Sequence, residues 1–202
     1  ANPPTAAGGF LRSEPGKNNP DFQLHMVPLP YRNHAHDYMS MIKWGFTMIV
    51  NIGHPRSRGR LTLKNANPGS EPNIDLNLLD HADDLKDMRN AFKVTQDILH
   101  GSPLKDMIAK PLYPKRYLNT DAEIDDYLRA EVNHAYHPVG TCKMGRDDMA
   151  VVDARLKVKG LANVRVADAS IMPEIINGNT NATCIMIGEK AADMIKEDAA
   201  AT

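Results

Sequence analysis

At 202 residues the chain is long enough for one sizeable domain with a hydrophobic core. Its 42% hydrophobic and 24% charged residues exclude a disordered or collagen-like chain. With 24 basic against 25 acidic side chains, a formal net charge of −1, it lacks the basic excess or stripe that nucleic-acid binding asks for.

The first 20 residues are expected to be a loop entering from an upstream region. Pro3, Pro4, Gly8 and Gly9 punctuate the start, and Pro15, Gly16, Asn18, Asn19 and Pro20 supply turn chemistry. No basic, apolar leader and no initiator methionine stands there, so the chain is read as a piece of something longer. Phe22 to Val27 predicts a strand ended by Pro28 and Pro30, and Gly45 to Ile52 a buried one. The apolar run around Thr47 to Val50 is far too short to span a bilayer. Arg60 to Lys64 alternates with a period of two, which predicts a half-buried strand antiparallel to its predecessor. Asn65 to Pro72 is turn chemistry, and a short strand is expected over Asn73 to Leu78.

Leu85, Met88, Phe92, Thr95 and Leu99 form a stripe at helical spacing on a helix expected to begin near Asp80 and stop at Gly101 and Pro103. A second helix opens on Thr120-Asp-Ala-Glu123, a capping box, and presents Ile124, Leu128 and Val132. Beyond Val132 the character changes. Asn133 to Gly145 is irregular, Val151 to Lys159 is hairpin-like, and Val164 to Asp168 predicts a short strand. Thr180 to Lys196 predicts a final helix with Cys184, Gly188, Ala191 and Ile195 on one face. Two cysteines, Cys142 and Cys184, cannot staple a fold of this size; free thiols are expected, with a single bridge left open.

Two segments carry candidate chemistry. His137 stands between Tyr136 and Pro138-Val-Gly-Thr141, and an imidazole that titrates near neutrality suits a general base. Asn177-Gly-Asn-Thr-Asn-Ala182 feeds the last helix, where amide donors and the positive end of the dipole suit a phosphate, a carboxylate or a ring that becomes anionic. Each residue also has a bland reading. A loop histidine packs, Asn177, Asn179 and Asn181 serve as turn or cap residues, and Asp168 closes a turn. The pairs His34-Ala-His36 and His134-x-x-His137 lack the cysteine or carboxylate spacing of a zinc site, so no metal is expected.

The order of the motifs is more specific than any one of them. His137-Pro-Val-Gly-Thr-Cys-Lys-Met-Gly145, Leu161-Ala-Asn-Val-Arg-Val-Ala-Asp-Ala-Ser-Ile-Met-Pro173, Gly178-Asn-Thr-Asn-Ala182 and Ile187-Gly-Glu-Lys-Ala-Ala-Asp193 together resemble the C-terminal part of glucose–methanol–choline oxidoreductases. Within that family the likeness is greatest to choline and alcohol dehydrogenases. It extends upstream through Pro55-Arg-Ser-Arg-Gly-Arg-Leu61, Pro72-Asn-Ile-Asp-Leu-Asn77 and Asp83-Asp-Leu85.

The resemblance implies an FAD-dependent enzyme that passes a hydride from the CH–OH carbon of a small-molecule alcohol to flavin N5. It places His137 at the alcohol hydroxyl as base or hydrogen-bond partner, and Asn181 at the second active-site position. Asp168 and Ala169 match a segment along the flavin ribityl and pyrophosphate, Asn179 and Thr180 approach the flavin ring, and Tyr136 lines the substrate pocket. A carboxamide holds the substrate oxygen without taking its proton, which leaves His137 as the expected base. The glycine fingerprint G-x-G-x-x-G that cradles the ADP half of FAD is absent from the sequence. The N-terminal FAD-binding region is therefore expected upstream in the same polypeptide, and the chain alone is expected to be inactive and not to retain FAD tightly. A flavin-containing hydroxynitrile lyase and a non-catalytic fragment are the alternative readings.

The expected fold is α+β. A mostly antiparallel sheet with flanking helices over residues 21–133 forms the substrate-binding region. Residues 134–202 carry the active-site tract and return to the FAD-binding domain as a strand and a terminal helix. One tryptophan, six tyrosines and four phenylalanines leave an ammonium-binding cage open.

Overall fold

The computed structural model describes residues 5–201. They form two compact units: one comprises the residues up to Arg58 together with Asn77–Asn133, the other Gly59–Leu76 together with the residues from His134 onward. Helices and antiparallel sheet make up the regular structure.

The first unit is built on three antiparallel strands in chain order, β1 (Ala7–Leu11), β2 (Phe22–Val27) and β3 (Thr47–Ile52). Leu11 faces Phe22, Phe22 faces Ile52 and Leu24 faces Val50, so alternate side chains of β2 point to one face. That face is covered by Ala91, Val94 and Ile98, and Phe22 is fully buried beneath them. The loop expected over the first 20 residues is in part a strand. A β-carbon on residue 8 would lie 2.6 Å from the Leu24 carbonyl oxygen, so Gly8 is what permits β1 to approach. Pro3 and Pro4 of that expectation lie outside the described residues.

Two short helices, α1 (Tyr38–Met41) and α3 (Leu104–Met107), accompany two longer ones, α2 (Ala82–His100) and α4 (Asp121–Glu131). The helix expected to begin near Asp80 begins at Ala82, and His81 caps it by accepting the Asp83 amide on Nδ1. The expected α2 stripe packs against α4: Leu85, Ile124 and Leu128 share a core with Leu79 and Leu118, joined by Met88 and Phe92. A second α2 stripe, Ala91, Val94 and Ile98, serves the sheet. The α4 capping box is complete in both directions between Thr120 and Glu123.

Asp84, in the first turn of α2, is 2% exposed. Its carboxylate accepts the amides of Arg56 (2.8 Å) and Ser57 (2.7 Å) and the Ser57 hydroxyl (2.5 Å). Burial alone would raise this carboxyl, but those donors outweigh it and hold it below the ordinary carboxylate range.

The second unit contains a two-stranded antiparallel sheet, β4 (Arg60–Thr62) with β5 (Asn73–Asp75). The strand expected at Arg60 thus pairs forward with β5, not back with β3. Its partner is set by Gly59, where a β-carbon would lie 2.1 Å from the Asp75 carbonyl oxygen.

The core of this unit is Val152, Leu156, Ile171, Met172, Ile187 and Ala191. The hairpin-like stretch and the strand expected over Val164 to Asp168 reduce to single bridges, Val152 with Val158 and Lys157 with Arg165. Leu156, at a φ of +63°, interrupts the regular pairing, and a 3-10 turn over Ala169–Ile171 takes over after Asp168.

The last helix, α5 (Asn181–Ala200), turns Ile187 and Ala191 inward. Of the face expected over Cys184, Gly188, Ala191 and Ile195, Ala191 is buried and Cys184 half-buried, whereas Gly188 and Ile195 are exposed, because the buried positions follow Ile187, Ala191 and Met194 at spacings of four and three. Asp198 fastens the end of α5 by binding Arg155 (2.7 Å), Lys157 (2.5 Å) and Arg165. No helix among the described residues is long and apolar enough to cross a membrane.

Candidate active site

The irregular tract after α4 owes its shape to Gly140 and to backbone pairing. Gly140 has a φ of +89°, and a β-carbon there would stand 3.4 Å from the Met172 carbonyl oxygen. The Cys142 amide donates to the Ser170 carbonyl at 3.0 Å, and the Met144 amide to the Ile171 carbonyl at 2.7 Å. These bonds lay the segment that follows His137 against the one that follows Asp168.

His137 is half-buried, and its Nε2 lies 3.4 Å from Nδ2 of Asn179. A carboxamide nitrogen only donates, so this approach matches the tautomer with Nε2 unprotonated and the ring proton on Nδ1. Asn179, expected to approach a cofactor, is thus the asparagine beside the expected base. Asn181, expected to share the site with His137, is the exposed first residue of α5.

Thr180, at the α5 cap position, is buried and makes no side-chain cap. The first-turn amides of α5 are therefore not capped by its hydroxyl, and donors of this kind suit an anion or a carbonyl oxygen. Asp168 is exposed and caps the 3-10 turn, accepting the Ser170 amide at 2.8 Å, while Ala169 packs against the core of its unit. Tyr136 is 61% exposed and stands in the left-handed region at a φ of +62°.

Both cysteines are free thiols and half-buried. Lys143, next to Cys142, is engaged with Asp147 at 2.8 Å, and this pairing holds the Asp147 carboxyl below its ordinary range. Among the described residues no three His, Cys, Asp or Glu side chains group as metal ligands do.

Residues 55–188 match the model of the family described as GMC oxidoreductase. The chain belongs to this family. As a GMC oxidoreductase sequence it is similar to the oxygen-dependent choline dehydrogenase of Escherichia coli O45:K1 (strain S88), with 41% identity over 190 residues covering 94% of the chain and 34% of that protein. It is 40% identical over 189 residues to an alcohol dehydrogenase [acceptor] of Pseudomonas putida, with the same shares covered. The chain thus spans about a third of the length of these curated relatives, 34% in each case.

Among solved GMC-like structures, pyridoxine 4-oxidase from Mesorbium loti superposes with a TM-score of 0.86 at 28% identity, over 96% of this chain and 38% of that one. Formate oxidase from Aspergillus oryzae RIB40, solved to follow modification of its FAD, superposes with a TM-score of 0.81 at 32% identity, over 90% of this chain and 32% of that one.

Sequence reasoning missed two parts of this arrangement. Nothing in the sequence announces the approach of Asn179 to His137, because the two residues are far apart in the chain. His134, whose ring meets Tyr136, stands out in the sequence only as half of a histidine pair.

Proposed function

We propose that this chain is the C-terminal, substrate-facing part of an FAD-dependent enzyme that oxidises the CH–OH group of a small alcohol, with His137 as the proton acceptor. The observation that carries this reading is the 3.4 Å approach of His137 Nε2 to Asn179 Nδ2. FAD, when bound, supplies the acceptor for the hydride of the carbinol carbon. The remainder of the polypeptide would bind most of the cofactor. Asp168, Ala169, Asn179, Thr180 and the first turn of α5 would hold the part of it nearest the site, and the donor character of the amides at a helix start fits such a group.

The roles of the side chains follow from their chemistry. Nε2 of His137 takes the hydroxyl proton, which puts alkoxide character on the oxygen and loosens the carbinol hydride. The Asn179 carboxamide, donating toward the same Nε2, yields to the hydroxyl when substrate arrives, since 3.4 Å is a long hydrogen bond. Asn181 holds the substrate oxygen as a donor without removing its proton, and Tyr136 lines the entry.

The test is stopped-flow reduction of the flavin-loaded full-length protein by an alcohol across pH. His137→Ala is expected to slow reduction by roughly 10²–10⁴, the usual worth of general base catalysis, and to remove the low-pH limb of the profile. Asn181→Ala is expected to slow reduction and keep that limb. A His137→Ala protein with an unaltered rate and limb overturns the reading.

A further inference from the structure

We infer that His134 is a positioning residue: its imidazole holds Tyr136 in the left-handed conformation that aims His137. The inference rests on the proposed function in one respect, the role of His137 as proton acceptor.

Three observations meet at this turn. Tyr136 has a φ of +62°, a region that a residue with a β-carbon occupies only when its surroundings hold it there. Burial is a weak restraint on it, because its side chain is largely exposed. His134 meets it twice, accepting the Tyr136 amide on Nδ1 at 3.2 Å and setting its ring edge-to-face against the tyrosine with centroids 5.0 Å apart and planes at 81°.

The consequence falls on the next residue. His137 is followed by Pro138, and a residue before proline is confined to extended backbone. It is preceded by Tyr136, whose backbone the His134 ring restrains. With both neighbours fixed, the His137 backbone has little freedom left, and its ring is carried to Asn179. The bond from a side-chain acceptor to the amide two residues on is the imidazole counterpart of an Asx-turn. An asparagine at position 134 would therefore reproduce the acceptor without the ring, and a phenylalanine the ring without the acceptor.

These substitutions test the role in the flavin-loaded full-length protein. His134→Ala and His134→Phe are expected to lower the flavin-reduction rate 10- to 100-fold, the order of loss that a displaced reacting group brings. The loss should fall on kcat more than on KM. His134→Asn is expected to restore the rate to within about threefold of the parent. In a Tyr136→Gly background, where glycine takes positive φ without help, His134→Ala should cost less than threefold in rate and produce a smaller drop in thermal midpoint than it does beside tyrosine.

A His134→Ala protein with the parent rate overturns the inference, as does a His134→Asn protein no faster than His134→Phe. His137→Ala in the same series separates the two levels. If it leaves the rate unchanged, the proposed function fails, and the thermal coupling between positions 134 and 136 still tests the turn. If it abolishes the rate while His134→Ala is silent, only the positioning role fails.

Discussion

In the unit that contains β1 to β3, α2 and α4, the buried side chains Phe22, Leu24, Ala91 and Ile124 belong to elements that carry none of the candidate site residues. In the unit that contains α5, Ile171 and Met172 follow Asp168 and Ala169 with only Ser170 between, and Ile187 lies less than two turns into the helix that Asn181 opens. The first unit separates packing from chemistry, whereas the second asks the same short segments to do both. Damage to the first should therefore cost stability and spare the rate, and damage to the second should cost both.

The sharpest way to break that contrast is a pair of core truncations in the full-length protein. Phe22→Ala is expected to cost about 4 kcal/mol in urea denaturation while the flavin-reduction rate stays near the parent value at a temperature where the protein remains folded. Ile171→Ala is expected to cost about 3 kcal/mol and also to slow reduction, because the cavity lets the residue 171 backbone shift, and its carbonyl holds the Met144 amide in the tract that carries His137. Equal effects on rate from the two variants would erase the distinction.

The next effect in size belongs to Asp84. Asp84→Ala leaves the buried Arg56 and Ser57 donors without their acceptor and is expected to cost about 2 kcal/mol. The carboxyl is held below its ordinary range in the folded protein, so the folded state binds fewer protons there than the unfolded chain. Its contribution is present above the unfolded value near about 3.9 and is lost as pH falls through the lower folded value. Asp84→Asn should accordingly flatten the loss of stability below about pH 4, measured by urea midpoints across that range. The smallest effect is expected from Thr120→Ala, which removes half of the α4 capping box and should cost about 1 kcal/mol, with faster amide exchange confined to the first turn of that helix.

These residues also show what a sequence can disclose. The α4 start is legible because Thr120 and Glu123 lie within one turn and satisfy each other. The α2 stripe toward α4 is legible because it is apolar and periodic, but the Ala91, Val94 and Ile98 stripe is hidden by the small size of Ala91. β1 is illegible because what makes Gly8 suitable is the Leu24 carbonyl, which belongs to a different strand. The partner of β4 is likewise decided by a backbone contact between Gly59 and Asp75. At the candidate site, the order of motifs points to His137 and to the asparagines before α5. That Asn179 comes within 3.4 Å of His137 is a contact between residues far apart in the chain, which no local pattern announces. The role of His134 is set by the backbone angle of Tyr136, which no residue pattern announces.

The Gly59 contact bears on how mutational data for this family should be interpreted. A β-carbon at position 59 would also come within 2.9 Å of the Leu76 backbone, so every other amino acid collides with main chain that has no rotamer to give. In a deep scan scored by activity, position 59 should tolerate glycine alone and rank beside the residues that touch substrate. Its intolerance would report the steric closure of the β4–β5 hairpin, and a companion screen for folded protein would move it out of the functional class while leaving His137 in place.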